Sequence, residues 1–70
     1  MENRIIEPVE IGERLRILRG VRSIAAVSKA TGLTQARIGN YERGLRIPTD
    51  DAKVLLANYY GTSVQKIFFT

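Results

Sequence analysis

The sequence predicts an all-α domain of five short helices, and three observations carry that prediction. Apolar residues recur at helical spacing, most clearly Ala52, Leu55, Leu56 and Tyr59 at i, i+3, i+4 and i+7. A hydroxyl residue able to cap a helix stands ahead of the later segments, at Ser23, Thr34, Thr49 and Ser63. No segment alternates with the period of two that a strand needs, and the apolar IIE near the N-terminus is too short to build a sheet.

Helix one is expected from about Val9 to Arg19, with Ile11, Leu15 and Leu18 on one side. Pro8 precedes it, Glu10 and Glu13 suit the positive end of its dipole, and Gly20 stops it. Ser23 caps helix two, which turns Val27 and Ala30 inward, leaves Ile24 undecided, and ends at Gly32. Thr34 caps helix three, which runs to about Arg43 before Gly44 terminates it. In the following LRIP, Pro48 keeps the helix from continuing. Thr49 caps helix four, Asp50 and Asp51 occupy its first turn, and Gly61 closes it. Ser63 caps a short fifth helix whose Val64, Ile67 and Phe68 seal the core. Residues 1–8 form an arm and 9–70 a single domain, with no repeat or linker.

Seventy residues lie near the size at which one core is only marginally sufficient. With no cysteine and no histidine, disulfides, thiolate or zinc sites and the usual general base are all missing. The sole paired carboxylates, Asp50 and Asp51, are explained by a helix dipole. The sequence therefore predicts neither an enzyme nor a cofactor, and no small-molecule substrate. MENRIIEPVE lacks the layout of a signal peptide, and no apolar run approaches the roughly 18 residues that span a bilayer. A cytoplasmic protein without membrane partners is expected.

Charge is more informative by position than in total. The net charge is +4, but residues 14–46 carry Arg14, Arg16, Arg19, Arg22, Lys29, Arg37, Arg43 and Arg46 against Glu42 alone. Residues 1–13 are negative and residues 47–70 neutral. The positive charge thus surrounds GLTQARIGNYERG at 32–44, where a glycine turn leads into a helix with a narrow apolar edge of Ile38 and Tyr41. Its other faces carry Gln35, Arg37, Asn40 and Arg43, groups that can read base edges or grip phosphates. That layout is the outline of a DNA recognition helix, in the charge environment of a polyanion binder.

With these helices placed, the sequence resembles the phage lambda repressor and Cro-like helix-turn-helix family, often called Xre-type. IGERLRILR looks like its first helix, SIAAVSKATGLT its second helix and turn, QARIGNYERGLRIP its recognition helix and loop, and LANYYGTSVQKIF its late segment. The chain departs in two places. The stretch between helix one and Ser23 is about two residues shorter than usual, and Ile24 replaces a glutamine that often touches a phosphate.

The resemblance implies that Gln35, Ala36 and Asn40 face bases, with Arg37 beside them reading guanine or reaching a phosphate. The chemistry agrees, since Gln and Asn pair bidentately with adenine and Ala touches a thymine methyl. Ser23, Thr34, Arg43 and Arg46 are the implied phosphate contacts, with Arg16, Arg22 and Lys29 as weaker candidates. Arg19 is the implied partner of Glu42, a brace fixing helix three against helix one. Plainer readings stand beside these: Gln35 covering a helix end, Asn40 solvated, and Ile38 and Tyr41 simply core. Gly39 allows close approach of helix three to DNA or to helix two.

The function so implied is a sequence-specific transcriptional regulator of phage or mobile-element type, a repressor acting by operator occupancy. Double-stranded DNA is the expected partner, bound by a homodimer across a pseudo-palindromic operator with half-sites about 34–36 Å apart. Tyr59, Tyr60, Phe68 and Phe69 either supply the dimer surface or fill the core. The alternative is an antitoxin or adaptor that uses the same fold to bind a protein.

Overall fold

The computed structural model describes residues 6–69, and the expected contributions of Met1 to Ile5 to the arm lie outside them. Five helices follow in order: α1 (Pro8–Arg19), α2 (Ile24–Thr31), α3 (Gln35–Glu42), α4 (Asp50–Tyr60) and α5 (Val64–Phe68). Helix α1 begins one residue earlier than the sequence suggests, because proline suits a first turn whose N–H groups have no helical partner.

The hydroxyl caps are in place. Ser23, Thr34, Thr49 and Ser63 each accept a bond from the backbone N–H three residues on, at 3.0–3.2 Å. Each satisfies a donor that the helix leaves orphaned, an effect of about 1 kcal/mol per cap.

One core serves all five helices. Ile11 and Leu15 from α1, Val27 from α2, Ile38 and Tyr41 from α3, Ala52 and Leu56 from α4, and Ile67 and Phe68 from α5 are buried together. Two expected core positions are not there. Ala30 is exposed because the inward stripe of α2 runs through Ile24, Val27 and Thr31, one residue round the helix. Leu55 is 40% exposed, since α4 centres its stripe on Ala52, Leu56 and Ala57, with Tyr59 and Tyr60 packed at its end.

Helix α5 has only five residues, too few to hold its own hydrogen bonds against water. It is tied down from α1. Arg14 Nη1 donates to the carbonyls of Lys66, Ile67 and Phe69 at 2.9–3.4 Å, while Nη2 pairs with Glu10 at 2.9 Å. The arm joins the same end: Ile6 is buried, and its N–H donates to the Phe68 carbonyl at 3.1 Å.

Candidate nucleic-acid interface

The link between α2 and α3 is short and closely stitched. Gly32 adopts a left-handed conformation (φ 81°) that reverses the chain, a geometry costly for a residue with a Cβ. Leu33 then drops into the core. Its carbonyl accepts from Ser28 Oγ at 2.6 Å, and its N–H donates to Thr31 Oγ1 at 3.2 Å. With Thr34 capping the next turn, α3 leaves the core at a fixed position relative to α2.

Helix α3 is two-sided. Ile38 and Tyr41 are buried, and Gln35, Ala36, Arg37 and Arg43 are exposed, with Asn40 half-buried at the boundary. The structure therefore brings the four sequence-predicted base-facing residues onto the outer part of one helix. Gly39 is buried, and the Arg43 guanidinium lies across it, with Nη1 3.2 Å from where a Cβ would stand. From there Arg43 Nη2 donates to Asn40 Oδ1 at 2.9 Å.

The opposite end of α3 is locked to α1. Glu42 is almost fully buried, and its carboxylate accepts from Arg19 Nε at 2.7 Å and Nη2 at 2.9 Å. This two-pronged bond raises the Arg19 pKa further above its usual value. Arg16 Nη1 donates to the Glu42 backbone carbonyl, one of the acceptors that a helix C-terminus leaves open. Gly12, one turn before Arg16, lets the two backbones meet: a Cβ there would stand 2.8 Å from the Tyr41 carbonyl oxygen. Gly12, Arg16 and Arg19 lie at i, i+4 and i+7, so one stripe of α1 holds the end of α3 by contact, by backbone bond and by charge. Only the last of these was foreseen. The spacing of Gly12 and Arg16 relative to Arg19 is the signal that would have revealed the other two.

The charge cluster divides into groups bonded within the protein and groups left exposed. Arg14, Arg16 and Arg19 are committed to protein partners. Arg22 donates to the Leu18 carbonyl and lies 5.4 and 5.7 Å from the ring centres of Tyr59 and Tyr60. Burial, followed by the nearby Glu42 charge, pushes the Tyr60 hydroxyl up to about 12. Lys29, Arg43 and Arg46 remain exposed, while Ser23 and Thr34 combine exposure with their capping bonds. Arg37, although exposed, is not extended: Nε and Nη2 donate to Tyr41 Oη at 3.2 and 2.9 Å, and Nη2 reaches Thr49 Oγ1 at 3.4 Å.

A short capped helix, a left-handed glycine turn and a second helix with a buried inner edge and a polar outer one define a helix-turn-helix domain. The chain belongs to the helix-turn-helix domain family, which it matches over residues 10–67. No curated protein sequence matches it. Among solved structures it is similar to the restriction-modification controller protein C.AhdI from Aeromonas hydrophila. That match has a TM-score of 0.79 and 28% identity, over 87% of this chain and 96% of the other. It is also similar to the DNA-binding domain of BldD, with a TM-score of 0.73 and 29% identity over 89% of this chain and 93% of that one. The five-helix, lambda repressor-like arrangement is common to them. No described helix is long and apolar enough to cross a membrane.

Proposed function

We propose that this protein is a sequence-specific DNA-binding transcriptional regulator, a repressor that inserts α3 into the major groove and blocks its operator by occupancy. The observation that carries the reading is the two-sidedness of α3, whose outer edge presents Gln35, Ala36 and Asn40 while its far end is held by Arg19 and Glu42. Base recognition needs hydrogen-bonding side chains on a rigid support, because a misplacement of about 1 Å forfeits the bidentate geometry. Gln35 and Asn40 suit adenine, and the Ala36 methyl suits thymine. Exposed Ser23 at the start of α2, Thr34 and Arg43 at the two ends of α3, and Arg46 in the loop after it would contact the backbone, which positions the domain and makes binding salt-dependent.

The two similar structures support the reading: one is a controller of restriction-modification and the other a DNA-binding domain. A homodimer on a pseudo-palindromic operator fits, since one eight-residue helix reads only a few base pairs. The exposed Ile17 and Val21 on one side, and Val54 and Leu55 on another, offer apolar surface to a second copy.

Selection of bound duplexes from random DNA, followed by mobility shift, tests the proposal. A single enriched site with two-fold symmetry is expected, and Gln35→Ala should weaken that site by roughly tenfold while relaxing the preference at one base pair. If the wild type shows no salt-sensitive duplex binding, the regulator reading fails and a protein-binding antitoxin or adaptor role takes its place.

A further inference from the structure

A cavity of about 270 Å³ opens between the outer face of α3 and the start of α4, lined by Arg37, Asn40, Tyr41, Arg46, Ile47 and Thr49. Its polar lining consists of donors. The bonds that hold Arg37 use Nε and Nη2, leaving the Nη1 protons unengaged by them. Tyr41 Oη receives two of those bonds, so its own proton is available to donate. Thr49 Oγ1 accepts from both the Ala52 N–H and Arg37, which likewise leaves its O–H proton to give away. Asn40 accepts through Oδ1 from Arg43, so its amide nitrogen stays a donor. Arg46 adds a second guanidinium, and no carboxylate lines the cavity.

We propose that this cavity is a phosphodiester clamp. On this assignment Arg37 and Arg46 close on one backbone phosphate of bound DNA, and Arg37 reads no base. The inference rests on the DNA-binding reading and sharpens it. A hollow with two guanidiniums, two free hydroxyl protons and no acid fits a tetrahedral anion and no cation or neutral apolar ligand. Tyr41 and Thr49 hold the Arg37 fork in advance, which removes the side-chain entropy that a freely extended arginine loses on binding. They also hold it back along α3 toward the α4 end, four and twelve residues on in sequence, where the loop bearing Arg46 returns.

The test measures affinity of wild type, Arg37→Gln, Arg46→Gln and the double variant, across a range of salt, for two duplexes: the selected site and a scrambled sequence of equal length. Arg37→Gln should weaken binding to both duplexes by the same factor, roughly tenfold, and lower the salt slope by about one. The double variant should lose less than the product of the single losses, because both side chains serve one phosphate. Loss confined to the selected duplex, with relaxed preference at one base pair, would overturn the clamp and return Arg37 to base reading. Multiplicative losses would overturn the shared phosphate. A wild type that binds neither duplex at low salt sinks the DNA-binding reading itself, an outcome distinct from failure of the clamp. Should Arg37→Gln melt early, Arg37→Lys, which keeps the charge and loses the fork, must weaken both duplexes equally.

Discussion

Replacing Arg19 with methionine isolates what the buried brace contributes. The Glu42 side chain is 5% exposed and Arg19 22%, so the change strands a carboxylate inside the protein while the lost guanidinium itself was partly solvated. Removing one member of a buried pair costs about 3–5 kcal/mol, and the partial exposure of Arg19 places this case near 3. A chain of 70 residues has roughly 4–10 kcal/mol in total, so the variant loses about a third or more of it. At about 4–8 °C per kcal/mol the melting midpoint should fall by about 12–24 °C. Urea unfolding followed by circular dichroism measures the loss directly. Glu42→Leu and the double variant complete a cycle, and the double variant should be more stable than Arg19→Met because nothing charged is left buried. The bond from Arg19 Nη1 to the Arg22 carbonyl is lost in both Arg19 variants and cancels in the coupling term. If Arg19→Met costs under about 1 kcal/mol, the pair behaves as a surface ion pair and the brace argument is wrong.

Two further outcomes follow from the same end of α3. Gly12→Ala should destabilise by about 1–3 kcal/mol although alanine is the better helix former by about 1 kcal/mol, because the added methyl meets fixed backbone of α3; a raised melting midpoint would show that α1 and α3 can part freely. On the alkaline side stability should begin to fall near pH 10 and decline toward pH 12, the range in which Tyr60 ionises in the unfolded chain while burial keeps it protonated longer in the folded one. The sign is that of a raised pKa, protective below the unfolded value and lost as pH climbs through the folded one, and Tyr60→Phe should shrink the decline.

Local chemistry made much of the fold legible. Ser23, Thr34, Thr49 and Ser63 declared themselves because a cap acts on a donor three residues away, and Gly32 because its turn is a property of one residue. What escaped was decided between elements. Ala30 and Leu55 satisfy the helical period, yet a rotation of one residue, set by the neighbouring helix, moves them to the surface. The arginines show the same limit. A count of charge cannot tell Arg14, whose partners are carbonyls at the far end of the chain, from Arg46, which remains exposed. Arg37 is exposed on α3, and its turn toward Thr49 depends on where the chain returns after Pro48.

The contact from Arg14 to α5 makes the domain one cooperative unit. Its three acceptors lie 52, 53 and 55 residues away in a 70-residue chain, so the first helix and the last are stitched across nearly the whole sequence. A five-residue helix has no standing of its own and should gain amide protection only when α1 is already formed. The Arg19–Glu42 brace spans only 23 residues, so the Arg14 seam closes the longer loop and costs more chain entropy. During synthesis the segment bearing α3 leaves the ribosome well before α5 does, so the surface that would touch DNA is complete in sequence before it is complete in structure.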